Sequence, residues 1–241
     1  MTETPPAAPP SPPNRLAILA EVAGFVAVAL LLRYAMTFFF WRYAGPVSLG
    51  VMILLVTLYM RRQGIGWRDM GLVPLPGIRA KLMVVPMALL AFVAFAIAVG
   101  ATAFGLPALG LDFMTELPQG VEDRWGDIRG NLPLYLLWVA IAWISAGFFE
   151  EMFFRGYMIT RLRAAFAGIP WGALLAVILA ALVFGYGHFY YQGWRGLIVT
   201  GAIGVAFGSM FLLYRGNLWP MILLHGVVDT LNFTALYGEW E

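Results

Sequence analysis

The chain contains no cysteine and few charged residues. Charged side chains make up 12% of its 241 residues and hydrophobic ones 61%, whereas a soluble domain has about 25% charged residues. The missing cysteines exclude disulfides, iron–sulfur clusters, thiolate zinc sites and cysteine nucleophiles. A formal net charge of +2 gives no reason to expect a nucleic-acid partner. This balance predicts a polytopic membrane protein that lies in the lipid bilayer.

Proline is concentrated at the N-terminus, where it occupies six of the first fourteen positions. Such a segment predicts a disordered cytoplasmic tail, because it has too little apolar surface to offset the entropy of ordering. The apolar run that follows is too long for a cleavable signal peptide and is expected to be a retained first span. The predicted organisation is a tail over 1–14, N-terminal transmembrane helices and loops over 15–131, a catalytic helix bundle over 132–236 and a short tail over 237–241.

Seven apolar runs approach the length of about 20 residues that a bilayer-spanning helix needs. They are Leu16–Trp41, Pro46–Tyr59, Leu82–Phe104, Leu132 to about Phe149, Trp171 to about Tyr186, Leu197–Tyr214 and Leu218–Leu236. The predicted fold is therefore all-α, a transmembrane helix bundle of about seven spans within a range of six to eight. The second run is short enough to be re-entrant or tilted. The fourth continues helically toward Phe166, so we expect it to be kinked or to protrude.

Basic residues set the predicted orientation, because short loops rich in Lys and Arg stay on the cytoplasmic side. With seven spans, the basic loops after the second, fourth and sixth spans share one side with the N-terminus. Arg42 and Arg195 are exceptions to this pattern. The N-terminus is predicted to be cytoplasmic and the C-terminus external. Gly201, Gly204 and Gly208 give the sixth span a small-residue face, which is more typical of helix packing than of a substrate groove.

Two adjacent glutamates lie inside an apolar run, where a charge near a helix centre costs roughly 2.5–3.5 kcal/mol. Glu151 and Arg155 are spaced i, i+4, so they share a face and Arg155 can neutralise Glu151. Glu150 points about 100° away and lacks that partner. It is therefore free to hold a water or a proton as a general base. The structural alternative is a charge cluster at a helix end on the membrane surface.

Both histidines of the chain also lie in apolar segments, each with an i, i+4 neighbour. Phe184 can cover the ring of His188, and the alternative is a histidine that sits among tyrosines at the membrane interface. Asp229 can orient or charge-stabilise His225, or both can face a metal ion or an oxyanion. The alternative for this second pair is a polar contact that holds helices together.

The set of residues indicates hydrolysis more specifically than its members do. A glutamate and a histidine can activate a shared water, while a second histidine stabilises the oxyanion of a tetrahedral intermediate. Two histidines and a carboxylate could instead hold zinc with one open position for water. Both interpretations predict that an activated water hydrolyses an amide.

These elements resemble the motifs of the CAAX prenyl endopeptidase and bacteriocin-processing family of intramembrane proteases, also called CPBP or Abi-type. The family has a double glutamate with an arginine four residues on, a phenylalanine four residues before a histidine, and a histidine four residues before an asparagine or aspartate. The matching residues, in family order, are Glu150, Glu151 and Arg155, then Phe184 and His188, then His225 and Asp229. The resemblance covers roughly residues 132–236.

The resemblance implies a role for each matching residue. Glu150 would be the general base, and His188 would help to hold the water. His225 and Asp229 would form the oxyanion side, with Glu151, Arg155 and Phe184 in support. Relatives with asparagine at the last position have a neutral amide donor there, whereas Asp229 donates only when protonated.

The resemblance leaves the cofactor open, because the family has been described both as metalloproteases and as metal-free glutamate proteases. No metal ligand is assigned and the metal-free mechanism is preferred. The ligands of a divalent metal such as zinc would be Glu150, His188, His225 and Asp229. In the predicted spans His188 lies at the far end of its helix from Glu150, so the two meet only if that helix is tilted or starts later.

The resulting hypothesis is an intramembrane endopeptidase that cuts a membrane protein or peptide, as a multi-pass protein of a bacterial plasma membrane. A non-catalytic scaffold or immunity-type protein of the same fold is the first alternative. A proton-coupled transporter is the second, although the chain lacks the internal repeats that mark many transporters.

Overall fold

The computed structural model describes residues 14–116 and 118–238, and every long element in these ranges is a helix. The helices are α1 (Arg15–Phe40), α2 (Ala44–Arg62), α3 (Gly77–Ala108), α4 (Gln119–Trp125), α5 (Leu132–Ala165), α6 (Gly172–Leu213) and α7 (Trp219–Tyr237). Single 3₁₀ turns occupy Trp41–Tyr43, Asp112–Met114 and Gly126–Ile128. The predicted all-α class is confirmed. Most of the predicted N-terminal tail and the end of the C-terminal tail lie outside the described residues.

Four helical runs are long and apolar enough to cross a membrane: Arg15–Arg62, Gly77–Ala108, Leu132–Ala165 and Gly172–Leu213. The first run contains α1 and α2, which the 3₁₀ turn separates. The last run is α6, which Gly193 divides into two halves. Together with α7 these pieces give seven long helical segments among the described residues, while seven membrane crossings stay a prediction.

The two halves of α6 pack against each other as an antiparallel pair. Gly193 has φ 57° and ψ −151°, a backbone conformation that is essentially restricted to glycine. A Cβ atom at Gly185 would overlap the carbonyl oxygen of Leu197, and one at Gly204 would overlap Ala181. The predicted small-residue face is therefore a helix-packing face, and it fixes the half that carries Phe184 and His188.

The middle of α5 is wider than a regular α-helix. It is α-helical over Leu132–Ile141, has π-helical i→i+5 geometry over Ala142–Ile159 and returns to α geometry over Thr160–Ala165. Wide turns of this type are rare and occur often at functional sites. The two glutamates lie in this widened part. The prediction that the helix runs on past Glu150 is correct, and it ends at Ala165.

The second helix is longer than the sequence suggested. It extends over 19 residues, from Ala44 to Arg62, and 19 residues of α-helix are about 28 Å long. Its length is therefore close to that of an ordinary span, so a re-entrant segment is not needed. The difference arises because residues near both ends, such as Arg61 and Arg62, continue the helix although they do not contribute to the apolar run.

The segment between α3 and α5 folds back over one end of the bundle. Arg42 donates a hydrogen bond to Asp127 at 2.6 Å, and Arg195 donates to the carbonyl oxygen of Glu116 at 2.8 Å. These are the two basic residues that departed from the predicted charge pattern. Both have a partner in this segment, which explains why they lie outside the predicted basic loops.

A buried ion pair joins α1 to the far end of α5. Arg161 donates to both carboxylate oxygens of Glu21, at 2.8 and 2.7 Å, and Tyr157 donates to the same carboxylate at 3.1 Å. Paired in this way, Glu21 is tolerated inside an apolar helix. The contact holds α1 against the helix that carries the two glutamates.

Candidate functional site

A close approach of α5 and α7 builds one side of the site. A Cβ atom at Gly147 would lie 3.3 Å from the backbone nitrogen of Gly226, and one at Gly226 would overlap the ring of Trp143. The indole of Trp143 also donates a hydrogen bond to Thr230 at 3.0 Å. Because glycine faces glycine here, the two helix backbones come close enough for the glutamates of α5 to reach His225.

Glu151 is fully buried and has two cationic or donor partners. Its Oε1 accepts a hydrogen bond from Arg155 Nη1 at 3.0 Å and contacts His225 Nδ1 at 2.8 Å. The structure thus contains the ion pair that the i, i+4 spacing predicted. The contact with His225 was not predicted. A carboxylate accepts hydrogen bonds, so Nδ1 of His225 is the donor and its Nε2 remains for the site.

Glu150 has no such partner. Its Oε2 atom is buried and has no hydrogen-bond partner among the residues that the structure describes. This atom lies 3.9 Å from Nε2 of His225, and Asp229 Oδ2 lies at the same distance from that nitrogen. Both separations are too long for a direct hydrogen bond, but one water molecule could contact the two atoms of either pair.

His188 is held by its own helix. Its Nδ1 lies 2.9 Å from the carbonyl oxygen of Phe184, and a carbonyl only accepts, so Nδ1 carries the proton and Nε2 of the neutral ring is an acceptor. The Phe184 ring meets the His188 ring edge to face at 4.8 Å. The guanidinium of Arg155 lies 4.5 Å from the centre of the same phenyl ring.

One cavity of about 650 Å³ brings the predicted residues together. Its lining includes Glu150, Phe184, His188, His225 and Asp229. Glu150 and His188 both line it, although the predicted spans allowed them to meet only if the helix of His188 was tilted or started later.

The observed helix ends explain why Glu150 and His188 come together. Glu150 lies 15 residues before the end of α5, and His188 lies 16 residues after the start of α6. The two residues are thus nearly equidistant from the turn that joins these helices. The sequence-based boundary near Phe149 concealed this relationship.

The segment that carries these residues is also similar to a known protein family. Residues 132–231 match the model of a family described as Type II CAAX prenyl endopeptidase Rce1-like. This part of the chain is similar to the CAAX prenyl endopeptidase family. The match confirms the resemblance inferred from the motifs, and all seven motif residues lie inside it. No curated protein and no solved structure shows a significant match to the chain.

Several cavity residues went unrecognised in the sequence. Asn232 lines the cavity together with His225 and Asp229. It follows His225 by seven residues and therefore lies on the same face of α7, so helical spacing is a signal that could have identified it. Phe207 meets the His225 ring edge to face at 5.7 Å, and nothing in its local sequence marks it. Arg33 and Arg124 also line the cavity, although both lie outside the segment that matches the CAAX prenyl endopeptidase family.

The α4 segment forms part of the cavity wall. Arg129 donates hydrogen bonds to both carboxylate oxygens of Glu122, at 2.6 and 2.7 Å, and both residues line the cavity. This pairing holds the pKa of the Glu122 carboxyl below its usual range, so it stays ionised at neutral pH.

Within residues 14–116 and 118–238, no group of three His, Asp or Glu side chains is placed to hold a metal ion. Nε2 of His225 is 3.9 Å from the nearest oxygens of Glu150 and Asp229.

Proposed function

We propose that the protein is an intramembrane endopeptidase that hydrolyses a peptide bond of a membrane-associated protein or peptide. The observation that carries this proposal is the buried Oε2 of Glu150, which has no hydrogen-bond partner among the described residues, in a residue that lines the same cavity as His188 and His225. A buried polar atom without a partner costs free energy unless a ligand or water satisfies it. The CAAX-type protease family supports the same class of activity.

The first step is the activation of water by Glu150. A water molecule near Glu150 Oε2 gives up a proton to the carboxylate while its oxygen attacks the carbonyl carbon of the peptide bond. His188 assists by accepting the second hydrogen bond of that water through Nε2, the atom that its contact with Phe184 leaves as an acceptor. Both residues line the cavity that the peptide enters.

The second requirement is a donor for the negative charge that develops on the carbonyl oxygen. His225 supplies it through Nε2 when that nitrogen carries a proton, because Nδ1 is already committed to Glu151. Asp229 stabilises the charged ring from 3.9 Å. The amide of Asn232 is a second donor on the same wall and compensates for the aspartate at position 229, where some relatives have asparagine.

The last step returns the proton. As the carbon–nitrogen bond breaks, Glu150 delivers the proton taken from water to the leaving amine, which gives a carboxylic acid and an amine as products. Glu151 and Arg155 do not touch the substrate in this scheme. They are positioning residues, because the carboxylate of Glu151 sets the tautomer and the orientation of His225.

The protein is an integral membrane protein, and its charged site residues line a cavity rather than face lipid. We further propose a bacterial plasma membrane with the N-terminus in the cytoplasm and a mechanism without an obligatory metal. Reporter fusions to the N-terminus and to the loop between α2 and α3 test the orientation. Both reporters are expected on the cytoplasmic side.

The function is tested by comparing peptide termini in membranes of cells that express the wild type, Glu150→Gln or Glu116→Gln. Glu116 has an exposed side chain near α4 and serves as the matched control. New termini are expected with the wild type and the control but not with Glu150→Gln. Full biological activity of Glu150→Gln without any cleavage would favour a scaffold, and substrate-dependent proton flux in liposomes would favour a transporter. Either result overturns the proposal.

A further inference from the structure

A small basic pocket lies where three basic loops of the chain meet. Its volume is about 140 Å³, and it shares no lining residue with the cavity that contains Glu150. Arg68 comes from the loop between α2 and α3, Arg163 from the last turn of α5 and Arg215 from the turn between α6 and α7. The charge pattern of the sequence assigned these three loops to one side of the membrane, and the structure brings them together.

The three arginines of the basic pocket have no partner among the described residues. Arg68, Arg163 and Arg215 form no hydrogen bond and no ion pair within residues 14–116 and 118–238. By contrast, Arg161 lies two residues before Arg163 on α5 and donates to both carboxylate oxygens of Glu21. The same helix end thus carries one paired and one unpaired arginine, and the unpaired one lines the pocket.

One carboxylate also lines the basic pocket, and it is already engaged. Oδ2 of Asp69 accepts a hydrogen bond from the backbone nitrogen of Gly66 at 2.8 Å. Three arginines and one aspartate give the lining a formal net charge of +2. The hydroxyl of Thr160 on the same lining is an uncharged donor. Guanidinium and hydroxyl donors around a small volume match the acceptor oxygens of a phosphate group.

The backbone at Arg215 supports a role for its side chain. Its φ is 55°, in the left-handed region that glycine or asparagine usually occupies just after a helix end. A side chain with a Cβ atom is strained in this conformation, and such strain is concentrated at functional positions. The positive charge that Arg215 brings to the pocket gives a reason for an arginine here.

Close backbone contacts fix the walls of the basic pocket. A Cβ atom at Gly71 would overlap the carbonyl oxygen of Gly216, and one at Gly156 would overlap that of Met70. The backbone nitrogen of Leu218 also donates to the carbonyl oxygen of Gly71 at 3.0 Å. The loop between α2 and α3 is therefore held against α5 and against the turn that leads into α7. A pocket with fixed walls loses little entropy when a ligand binds.

We propose that the basic pocket binds a phosphate group, and that its ligand is the headgroup of an anionic phospholipid. The lipid lies in the leaflet that faces the basic loops, which the charge pattern predicts to be the cytoplasmic one. This site is distinct from the one that carries the proposed peptidase chemistry, and it does not depend on that activity.

The surroundings of the basic pocket favour a lipid over a soluble phosphate. Trp67 lies in the loop between α2 and α3, and Trp219 donates a hydrogen bond to the carbonyl oxygen of Val73 in the lining, at 2.8 Å. Tryptophan is typical of the membrane–water interface, where headgroups lie. Leu213, two residues before Arg215, is 61% exposed and offers apolar surface to an acyl chain. Basic pockets between transmembrane helices on the cytoplasmic side bind anionic headgroups.

The test measures lipid binding to the full-length protein and needs no turnover. Native mass spectrometry of the protein in detergent gives the Kd of the first phosphatidylglycerol molecule and of the first phosphatidylcholine molecule. Phosphatidylglycerol is expected to bind at least about 10-fold more tightly, because each arginine near a membrane surface contributes about fivefold. Equal binding of the two lipids by the wild type overturns the proposal.

Variants test whether the basic pocket is the site. Arg163→Gln combined with Arg215→Gly is expected to weaken phosphatidylglycerol binding by about 10- to 30-fold. Glycine adopts the backbone conformation of residue 215 without strain, so this variant keeps its fold. Arg79→Gln is the matched control, because Arg79 is an exposed arginine of α3 outside the pocket lining, and it should keep the wild-type Kd. An equal loss in Arg79→Gln would show that the whole basic surface attracts the lipid, and it overturns the proposal.

Inorganic phosphate distinguishes the two sources of the anion. It lacks acyl chains that could bury apolar surface on the protein, so it is expected to bind at least about 10-fold more weakly than phosphatidylglycerol. Displacement of bound phosphatidylglycerol by an equal concentration of inorganic phosphate would assign the pocket to a soluble anion and overturn the lipid assignment.

Discussion

Glu151 contacts His225 across two helices, with Oε1 of the carboxylate 2.8 Å from Nδ1 of the ring. The same oxygen accepts a hydrogen bond from Arg155. The neighbouring Glu150 has neither contact and lies 3.9 Å from the other nitrogen of the same ring. Two adjacent residues of one type therefore have different environments. Glu151 is part of the buried framework, and Glu150 faces the cavity.

The first prediction separates the two glutamates by stability. Glu151→Gln removes the counter-charge of the buried Arg155 and is expected to destabilise the protein by about 3–5 kcal/mol. Glu150→Gln breaks no ion pair with an arginine and is expected to change stability by less than about 1 kcal/mol. Unfolding of the purified proteins in detergent, followed by tryptophan fluorescence, measures both values. A larger loss for Glu150→Gln than for Glu151→Gln would show that the paired residue has been misassigned.

The second prediction concerns the tautomers of the two histidines. Nδ1 of His188 donates to a carbonyl and Nδ1 of His225 to a carboxylate, so ¹⁵N spectra of histidine-labelled protein should show a protonated Nδ1 in both rings. The chain has only two histidines, which makes the spectrum assignable with one variant. Glu151→Gln should shift the His225 signals and leave those of His188 in place. An unprotonated Nδ1 in His188 would contradict the proposed role of its Nε2 as an acceptor.

The parts of the site that the sequence revealed all lie within single helices. Glu151 with Arg155, and Phe184 with His188, are i, i+4 pairs, and helical geometry alone brings their side chains together. The same helical spacing places Asn232 on the face of α7 that carries His225 and Asp229, one turn further along. Helix class and most span positions followed from apolar runs, because lipid permits no other regular structure for such segments.

The parts that the sequence concealed depend on packing between helices. The contact of Glu151 with His225 requires the approach of α5 and α7 at Gly147 and Gly226, and no local pattern encodes which glycines meet. The same holds for Arg33 and Arg124. They reach the cavity from segments that are far apart in the chain, so no local sequence pattern indicates that either residue lines it.

The third prediction tests the packing of the α6 halves. Gly204→Leu would force a side chain into the backbone of Ala181 and is expected to destabilise the protein by about 1–3 kcal/mol. Gly24 is the matched control, because nothing lies within 4 Å of a Cβ atom built there. Gly24→Leu should leave stability within about 0.5 kcal/mol of the wild type. Equal effects of the two substitutions in the detergent unfolding assay would contradict the antiparallel packing.

The fourth prediction concerns metal removal. Because the proposed mechanism uses side chains and water without an obligatory metal, activity should survive treatment with a strong chelator and dialysis. Elemental analysis of the active protein should find less than one equivalent of zinc or of another transition metal. Loss of activity that added zinc restores, with one equivalent bound, would show that the metal-free mechanism is wrong.

The fifth prediction concerns the amide of Asn232. Asn232→Leu removes a donor from the cavity wall while keeping a similar volume, and loss of one oxyanion donor typically lowers kcat by about 10²–10³-fold. Val227, an exposed residue of the same helix, provides the control Val227→Leu, which should retain the wild-type kcat. A normal kcat with a raised KM in Asn232→Leu would assign this residue to substrate binding instead.

The central claim is that Glu150 activates the water that cuts the peptide. The most direct measurement is single-turnover cleavage in proteoliposomes made with H₂¹⁸O, using a peptide that carries the cut site found in cells. The wild type and Glu116→Gln should place one ¹⁸O atom in the new carboxyl group. Glu150→Gln, folded and inserted, should give no product above background. Cleavage by Glu150→Gln at the wild-type rate would contradict the account.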